Sequence, residues 1–528
     1  KRTGIVLTVI LMAFVVAYSL LYFNNTYPVS EGWGINYAEL MAHGKVPYRD
    51  FYYYLPPLNL LIDAVFWKLS FGFLLAFRGW YLAQRVLIYG LLFHLLKKEF
   101  NQYTAFGACV LTSIIATGDV YDLIGDYNQT MTLLALLLTW CAINFVGAGS
   151  LKKKLAHMGA AGVVLGCMFL NKQTIFAACA LVFFAVLTLL CIFERDKNYW
   201  WYCLATAGGM LIPVGIAFVY LGFNDALIPF FEQVFLNVEG KGSLAHILFY
   251  SVASRLWKPI FLGIIAIAIA LVLIEKSGLK QMTPSICLLT GLLLAVYGAC
   301  LYNEGSAMAQ IIVRYRSAIV ALLGCAVLAA GALWLSYRKD RRLNGVHATQ
   351  IDALTSMLCL VLACATCLYS ENFAKDVYFT GKVFDLIQYA VSSLLFIGIL
   401  LLIVLSLYKG ASGVDTVVCA RWKKLLFMSC GAFSLMYAGV MASGDSPSAA
   451  HVMRMALPLM LCLILDVRMD HAVVARLFKG SVTAVCIVLC VACVSQKITC
   501  SYSWWGSYMA PRSEKTYSVD IPAMAGIR

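Results

Sequence analysis

Ionisable residues are sparse in this chain and fall into small groups, so each group limits the chemistry available to it. Glu31, in Ser30-Glu31-Gly32-Trp33, and Asp50, in Tyr48-Arg49-Asp50-Phe51, are carboxylates within one long polar interruption of an apolar sequence. A carboxylate held against a hydroxyl takes its proton as that oxygen attacks an electrophile. Other readings stand beside this one. Glu31 also suits a solvated loop or the start of the helix that follows it, and Asp50 also suits an ion pair with Arg49 or Lys45 that orders the loop. Asp119, Asp122 and Asp126 follow each other in Gly118 to Asn128 with no base among them. Such oxygens suit Mg²⁺ or Mn²⁺, although the spacing matches no specific metal motif, and exposed acids without a site have the same pattern. Cations stand at the ends of apolar runs: Lys172 in Asn171-Lys172-Gln173-Thr174, Arg314 and Arg316 after Asn303-Glu304-Gly305, and Arg454 in His451-Val452-Met453-Arg454. Each is able to hold a phosphate, arginine with two parallel hydrogen bonds and lysine as a point charge; each is equally able to reach lipid headgroups or a nearby acid. His246 and His451 lack ligand partners at useful spacing and read as structural.

The elements that carry these groups are membrane helices. Hydrophobic residues make up 62% of the 528 residues and charged residues 12%, with a mean hydropathy of +0.83. Such a composition cannot form a solvated surface, so lipid is the solvent for most of the chain. Apolar runs long enough to span recur near 4-23, 75-96, 103-117, 129-147, 155-170, 174-193, 200-221, 259-274, 284-301, 317-337, 351-369, 389-408, 424-442, 452-467 and 481-496, roughly fifteen spans. The expected architecture is all-α: a polytopic transmembrane helical bundle over 1-497, with interfacial helices in the first outer loop, and an outer tail over 498-528. The first run has Lys1 and Arg2 before it and no small-residue cleavage site after it, so it reads as a retained span. The absence of an initiator Met and the stop after Gly526-Ile527-Arg528 fit a fragment at one or both ends.

The net charge of +14 does not call for nucleic acid, because the bases sit in short clusters between spans. Taken alternately, one side collects Lys1/Arg2, Lys97/Lys98, Lys152/Lys153/Lys154, Arg195/Lys197, Lys276/Lys280, Arg338/Lys339/Arg341/Arg342, Arg421/Lys423/Lys424 and Arg468/Arg476/Lys479, and this side is expected to be cytoplasmic. The other side holds the loop 24-74, the three aspartates, 222-258, Tyr302 to Arg316, Glu371 to Asp385, Gly444 to Arg454 and the tail. Nearly all of the nineteen cysteines lie within spans, including Cys486 and the pairs Cys364/Cys367 and Cys490/Cys493, and read as packing residues. In the first outer loop, Asn36 to Met41 predicts a short amphipathic helix ended by Gly44, then an extended segment fixed by Pro47, then a second apolar helix from Pro56-Pro57 to about Phe73. The segment 222-258, with Glu232, Glu239, Lys241 and His246, is a lid candidate or a flexible connection around Gly240-Lys241-Gly242.

The succession Glu31-Gly32-Trp33, Gly44-Lys45-Val46-Pro47-Tyr48-Arg49-Asp50-Phe51 and Pro56-Pro57-Leu58 resembles the first outer loop of the GT-C superfamily of integral-membrane glycosyltransferases, most of all the protein mannosyltransferase and lipid A aminoarabinose transferase group. Tyr502-Ser503-Trp504-Trp505-Gly506 is similar to the start of the outer C-terminal region in some of these enzymes. The resemblance implies an inverting transfer of sugar from a polyprenyl-phosphate carrier to a lipid, glycan or protein acceptor, at the periplasmic or extracellular side of a bacterial inner membrane. It implies Glu31 as the proton acceptor, with Asp50 as a second candidate, and a second-loop acid as a metal ligand or acceptor-binding group. It implies carrier-phosphate contacts among Lys172, Arg314, Arg316 and Arg454, and partners that include membrane lipids but no nucleic acid. A cofactor is not certain; Mg or Mn is the candidate. The alternative is a transporter or flippase of a lipid-linked saccharide, against which stand the lack of an internal repeat and of mid-span acids. A carrier-dependent polysaccharide polymerase or ligase is a third reading.

Overall fold

The computed structural model describes residues 2–21, 23, 30–116, 126–236, 416–443, 449–466, 490, 500–503 and 508–511. Asp119, Asp122, Arg314, Arg316, His246 and the runs between 259 and 408 lie outside these residues, as do the side chains of Glu31 and His451.

The chain is an α-helical, polytopic integral membrane protein. Each apolar run that falls among the described residues carries a helix: α1 (Arg2–Leu20), α4 (Leu74–Glu99), α5 (Gln102–Ile115), α6 (Tyr127–Val146), α7 (Leu151–Phe169), α8 (Gln173–Glu194), α9 (Tyr199–Phe223), α11 (Thr416–Ser443) and α12 (Ala449–Asp466). Four of the described helices, α1, α6, α8 and α9, are long and apolar enough to cross a membrane by length and composition. The polar interruption folds as the two expected helices, α2 (Ser30–Ala42) and α3 (Leu58–Leu69). At 12 residues α3 is too short to span. Beyond α9 come the single-turn α10 (Leu227–Phe231) and a π-helical turn, Glu232–Leu236. The tail adds one feature to the all-α expectation, a two-stranded antiparallel hairpin of β1 (Cys500–Ser503) and β2 (Tyr508–Pro511).

Local chemistry sets the boundaries. Asp126 caps α6 by accepting from the backbone N–H of Asn128 and Gln129, Ser150 caps α7 through Lys153 N–H, and Asn101 caps α5 through Tyr103 N–H. Gly44 (φ 83°) ends α2 and Gly72 (φ 76°) turns the chain from α3 into α4, in left-handed conformations that glycine adopts without steric cost. Among the described helices, α7 and α9 pack backbone to backbone. A Cβ added at Gly162 would lie 2.0 Å from the carbonyl oxygen of Thr206, and one added at Gly209 would lie 2.0 Å from that of Gly159, so these backbones touch because neither residue has a side chain.

Alternation of the helices gives the bundle two chemically different ends. At one end surface ion pairs tie the elements together: Lys154 to Asp196 at 3.3 Å, Lys424 to Glu99 at 3.0 Å, Arg421 to Asp466 at 2.8 Å, and Lys423 to Glu194. These are the bases that the sequence groups on one side. The opposite end gathers the start of α3, the first three turns of α4, the start of α6, the corner between α7 and α8, and the start of α12. There the polar residues are buried.

Candidate functional site

The corner Pro56-Pro57 seats α3 on the bundle, where the backbone N–H of Leu58 donates to the carbonyl of Leu170 at the end of α7, at 2.8 Å. One helical turn then places Asn59 and Asp63 on the same inward face, both 5% exposed. Asn59 Nδ2 donates to Asp63 Oδ2 at 2.6 Å, and Tyr81 Oη of α4 donates to Asp63 Oδ1 at 2.7 Å. Thr130 Oγ1 of α6 donates to Asn59 Oδ1 at 2.7 Å and shares contacts of 3.3 Å with Gln84. Burial pushes the Asp63 carboxyl up to about 8, against the hydrogen bond from Tyr81 and with a further rise from the charge of Asp126. A buried carboxyl that both accepts from a phenol and stays protonated near neutrality is able to store or pass a proton.

Four cations are also buried: Arg78 and Arg454 without exposure, Arg85 at 4% and Lys172 at 5%. Gln129 organises two of them. Its Nε2 donates to the backbone carbonyl of Tyr81 at 2.7 Å, which fixes the amide so that Oε1 faces the other way. That oxygen accepts from Arg454 Nη1 at 2.7 Å and, at a longer 3.4 Å, from Arg85 Nε. Guanidinium groups from α4 and α12 thus converge on one neutral oxygen. Like charges brought together out of water are costly, and an anion bound between them offsets that cost with charge-assisted hydrogen bonds. Lys172 extends the cluster: its Nζ donates to Asn128 Oδ1 at 3.1 Å and lies 4.8 Å from the centre of the Tyr127 ring. Asn128 Nδ2 in turn donates to Asp126 Oδ2 at 2.9 Å. Arg78 donates to the carbonyl of Phe23, at the end of the chain leaving α1.

The first outer loop lies alongside. Tyr48 takes a left-handed backbone (φ 69°), and its ring packs edge-on to Phe230 of α10 at 5.2 Å. Gln233 of the π-turn braces the loop twice, accepting from Tyr53 N–H at 3.0 Å and donating to the Tyr48 carbonyl at 2.7 Å. Asp50 accepts from Arg49 Nε at 2.9 Å and from the backbone N–H of Val46 at 2.8 Å, contacts that hold its carboxyl down at about 2, the Arg49 bond first. Arg49 also donates to the Asn224 carbonyl at 3.1 Å. Asp50 is therefore engaged in the local ion pair that was its second reading. Glu31 sits at the second position of α2.

Of the residues singled out in the sequence, the structure brings Lys172, Arg454 and Asp126 to one buried cluster, and places Asp50 in the loop against α9 and α10. Both oxygens of Asp126 serve as a helix cap and as an acceptor for Asn128. Among the described residues, no three His, Cys, Asp or Glu side chains group as a metal site. Asp63, Arg85 and Gln129 belong to the network, Arg78 is buried on the same helix as Arg85, and all four fall inside apolar runs of the sequence. The available signal was that an ionisable residue inside such a run is expensive unless it has a task.

No family model matches the chain, and no curated protein matches it. Among solved structures, ArnT from Cupriavidus metallidurans bound to undecaprenyl phosphate aligns at 16% identity over 84% of this chain and 78% of that chain, with a TM-score of 0.39. The chain is likewise similar to the crystal structure of ArnT from the same organism in the apo state, at 15% identity over 86% of this chain and 78% of that chain, with a TM-score of 0.41.

Proposed function

We propose that the chain is a GT-C glycosyltransferase that moves a sugar, with inversion, from a polyprenyl-phosphate carrier to an acceptor at the outer face of a bacterial inner membrane. The observation that carries this reading is the convergence of Arg85 and Arg454 on Gln129, with Lys172 alongside, at the end of the bundle remote from the surface ion pairs. A lipid-borne phosphate entering from the bilayer meets cations already held in place, so no reorganisation is needed as charge develops on it. In the reaction the acceptor oxygen attacks the anomeric carbon as the bond from that carbon to the phosphate oxygen breaks. The electron pair leaves with the phosphate, which the cations stabilise, and the acceptor proton passes to a carboxylate, Glu31 in this reading.

The acceptor is a hydroxyl of a lipid, glycan or protein. A divalent ion, Mg²⁺ or Mn²⁺, would have to draw ligands beyond Asp126, whose oxygens are already occupied; persistence of activity in excess chelator disposes of it.

The test is turnover by purified protein in nanodiscs, given a synthetic polyprenyl-phosphate sugar and scored by release of polyprenyl phosphate. Wild type is expected to turn over, and Glu31→Gln to lose most of that turnover. Unchanged turnover in Glu31→Gln refutes its role. A protein that consumes no donor, yet carries lipid-linked sugar across liposomes, is the transporter instead.

A further inference from the structure

The corner between α7 and α8 contains a set of oxygens that nothing among the described residues satisfies. Asn171 Oδ1, Gln173 Oε1 and Thr174 Oγ1 are all shielded from solvent and have no hydrogen-bond partner among the described residues. Asn171 is fully buried as a residue. The amide orientations follow from their other ends: Asn171 Nδ2 donates to the Tyr127 carbonyl at 2.8 Å, and Gln173 Nε2 donates to the Val234 carbonyl at 3.3 Å. Turning either amide over would set an oxygen against a carbonyl oxygen, so both free atoms are acceptors. A buried acceptor without a donor costs on the order of 1–3 kcal/mol, and three on one corner are not expected of a site that serves packing alone.

Their position adds a direction. Lys172, the cation beside Asn128, lies between Asn171 and Gln173 in the chain, and the corner is wedged between the start of α6 and the π-turn. Asn171 and Lys172 share Tyr127 as a neighbour, so a group carried by a phosphate at Lys172 starts from the same corner. Acceptors select donors, and the group with several donors in a small volume is a polyhydroxylated ring.

We infer that Asn171, Gln173 and Thr174 form the sugar subsite, accepting hydrogen bonds from hydroxyl groups of a glycosyl unit whose phosphate is held at Lys172. This rests on the proposed carrier-dependent transfer and names which residues distinguish a glycosylated carrier from a bare one.

Thr174 provides the cleanest probe, because replacing a hydroxyl that has no partner among the described residues by a methyl removes a buried unsatisfied group and leaves the shape. Binding of synthetic polyprenyl phosphate and of polyprenyl-phosphate glucose is compared by titrated shifts in melting temperature for wild type, Thr174→Val and Thr174→Ser. Wild type is expected to prefer the glucosylated lipid. Thr174→Val is expected to melt no lower than wild type without lipid, to bind bare polyprenyl phosphate as wild type does, and to lose about tenfold in affinity for the glucosylated lipid; Thr174→Ser restores that affinity. If neither lipid stabilises wild type, the carrier reading falls and the subsite with it. If wild type binds both lipids equally, or Thr174→Val keeps the preference, the oxygens hold only water and the subsite is refuted while the phosphate site stands. A lower melting temperature of Thr174→Val without lipid also refutes it, since the hydroxyl would then have a partner in the free protein.

Discussion

Lys172 donates to the Asn128 side-chain oxygen and lies against the Tyr127 ring. Lys172→Met preserves most of the stem and removes the charge. A charge-assisted hydrogen bond to a phosphate contributes about 1.5–3 kcal/mol, so the affinity for polyprenyl phosphate is expected to fall by about ten- to hundredfold in a lipid titration, whereas Lys45→Met, on an exposed lysine, leaves it unchanged. Asp63 makes a prediction in pH. Its native carboxyl stands near 8 against an ordinary 3.8. Below that ordinary value both folded and unfolded chains are protonated and the contribution is fully present. As pH rises, the unfolded chain ionises first, so stability declines through this window and levels off above about 8. Asp63→Asn lacks this dependence, so its melting temperature should gain on wild type between pH 5 and pH 8; parallel curves would refute the assignment. At this scale the sequence was only partly readable. Lys172 and Arg454 stand at the heads of apolar runs and announce themselves, whereas Asp63 in Leu58–Leu69 and Arg85 in Leu74–Glu99 are diluted by the apolar residues around them. That Gln129 joins Arg85 to Arg454 is a fact of tertiary structure with no trace in local pattern.

Helices were more legible than contacts, because an 18-residue apolar run and a capping Asp, Ser or Asn are both local signals. The π-turn was not, since Glu232–Leu236 has no periodicity of its own and is defined by what Gln233 binds. Gln233→Ala leaves a backbone N–H and a carbonyl of the first loop without partners, at about 1–3 kcal/mol for each one that stays buried. Faster proteolysis within residues 45–55 is the expected readout. The contact between α7 and α9 gives a sharper case. Gly162→Ala must push the Thr206 backbone away and should destabilise by about 1–3 kcal/mol. Gly208→Ala, one position from the contact and with nothing within 4 Å, should be close to neutral. Equal melting temperatures for the two variants would mean that the helices are not packed as described.

For the molecule as a whole, the surface ion pairs and the buried cluster lie at opposite ends of the described bundle, which the proposed topology assigns to opposite membrane faces. Lys152 and Lys45 are both exposed, one at each end. Cysteines placed at Lys45 and at Lys152 should differ in intact cells: an impermeant maleimide labels the first, and the second only after permeabilisation. The described native cysteines are buried or half-buried and give a low background. Labelling of both from one side would end the proposed topology. The end of the described bundle at which the ion pairs gather was readable from the charge of alternate loops, because sorting of basic residues acts on short loops one at a time. What that charge could not reveal is which ends meet. Gln129 and Arg454 are 325 residues apart, so the ribosome has inserted α4, α6 and α8 long before it delivers α12. Until then the nascent protein has one guanidinium at Gln129 instead of two. Under the proposed function, the second guanidinium of the phosphate site is therefore acquired late in biosynthesis, and a chain interrupted before α12 holds only part of that site.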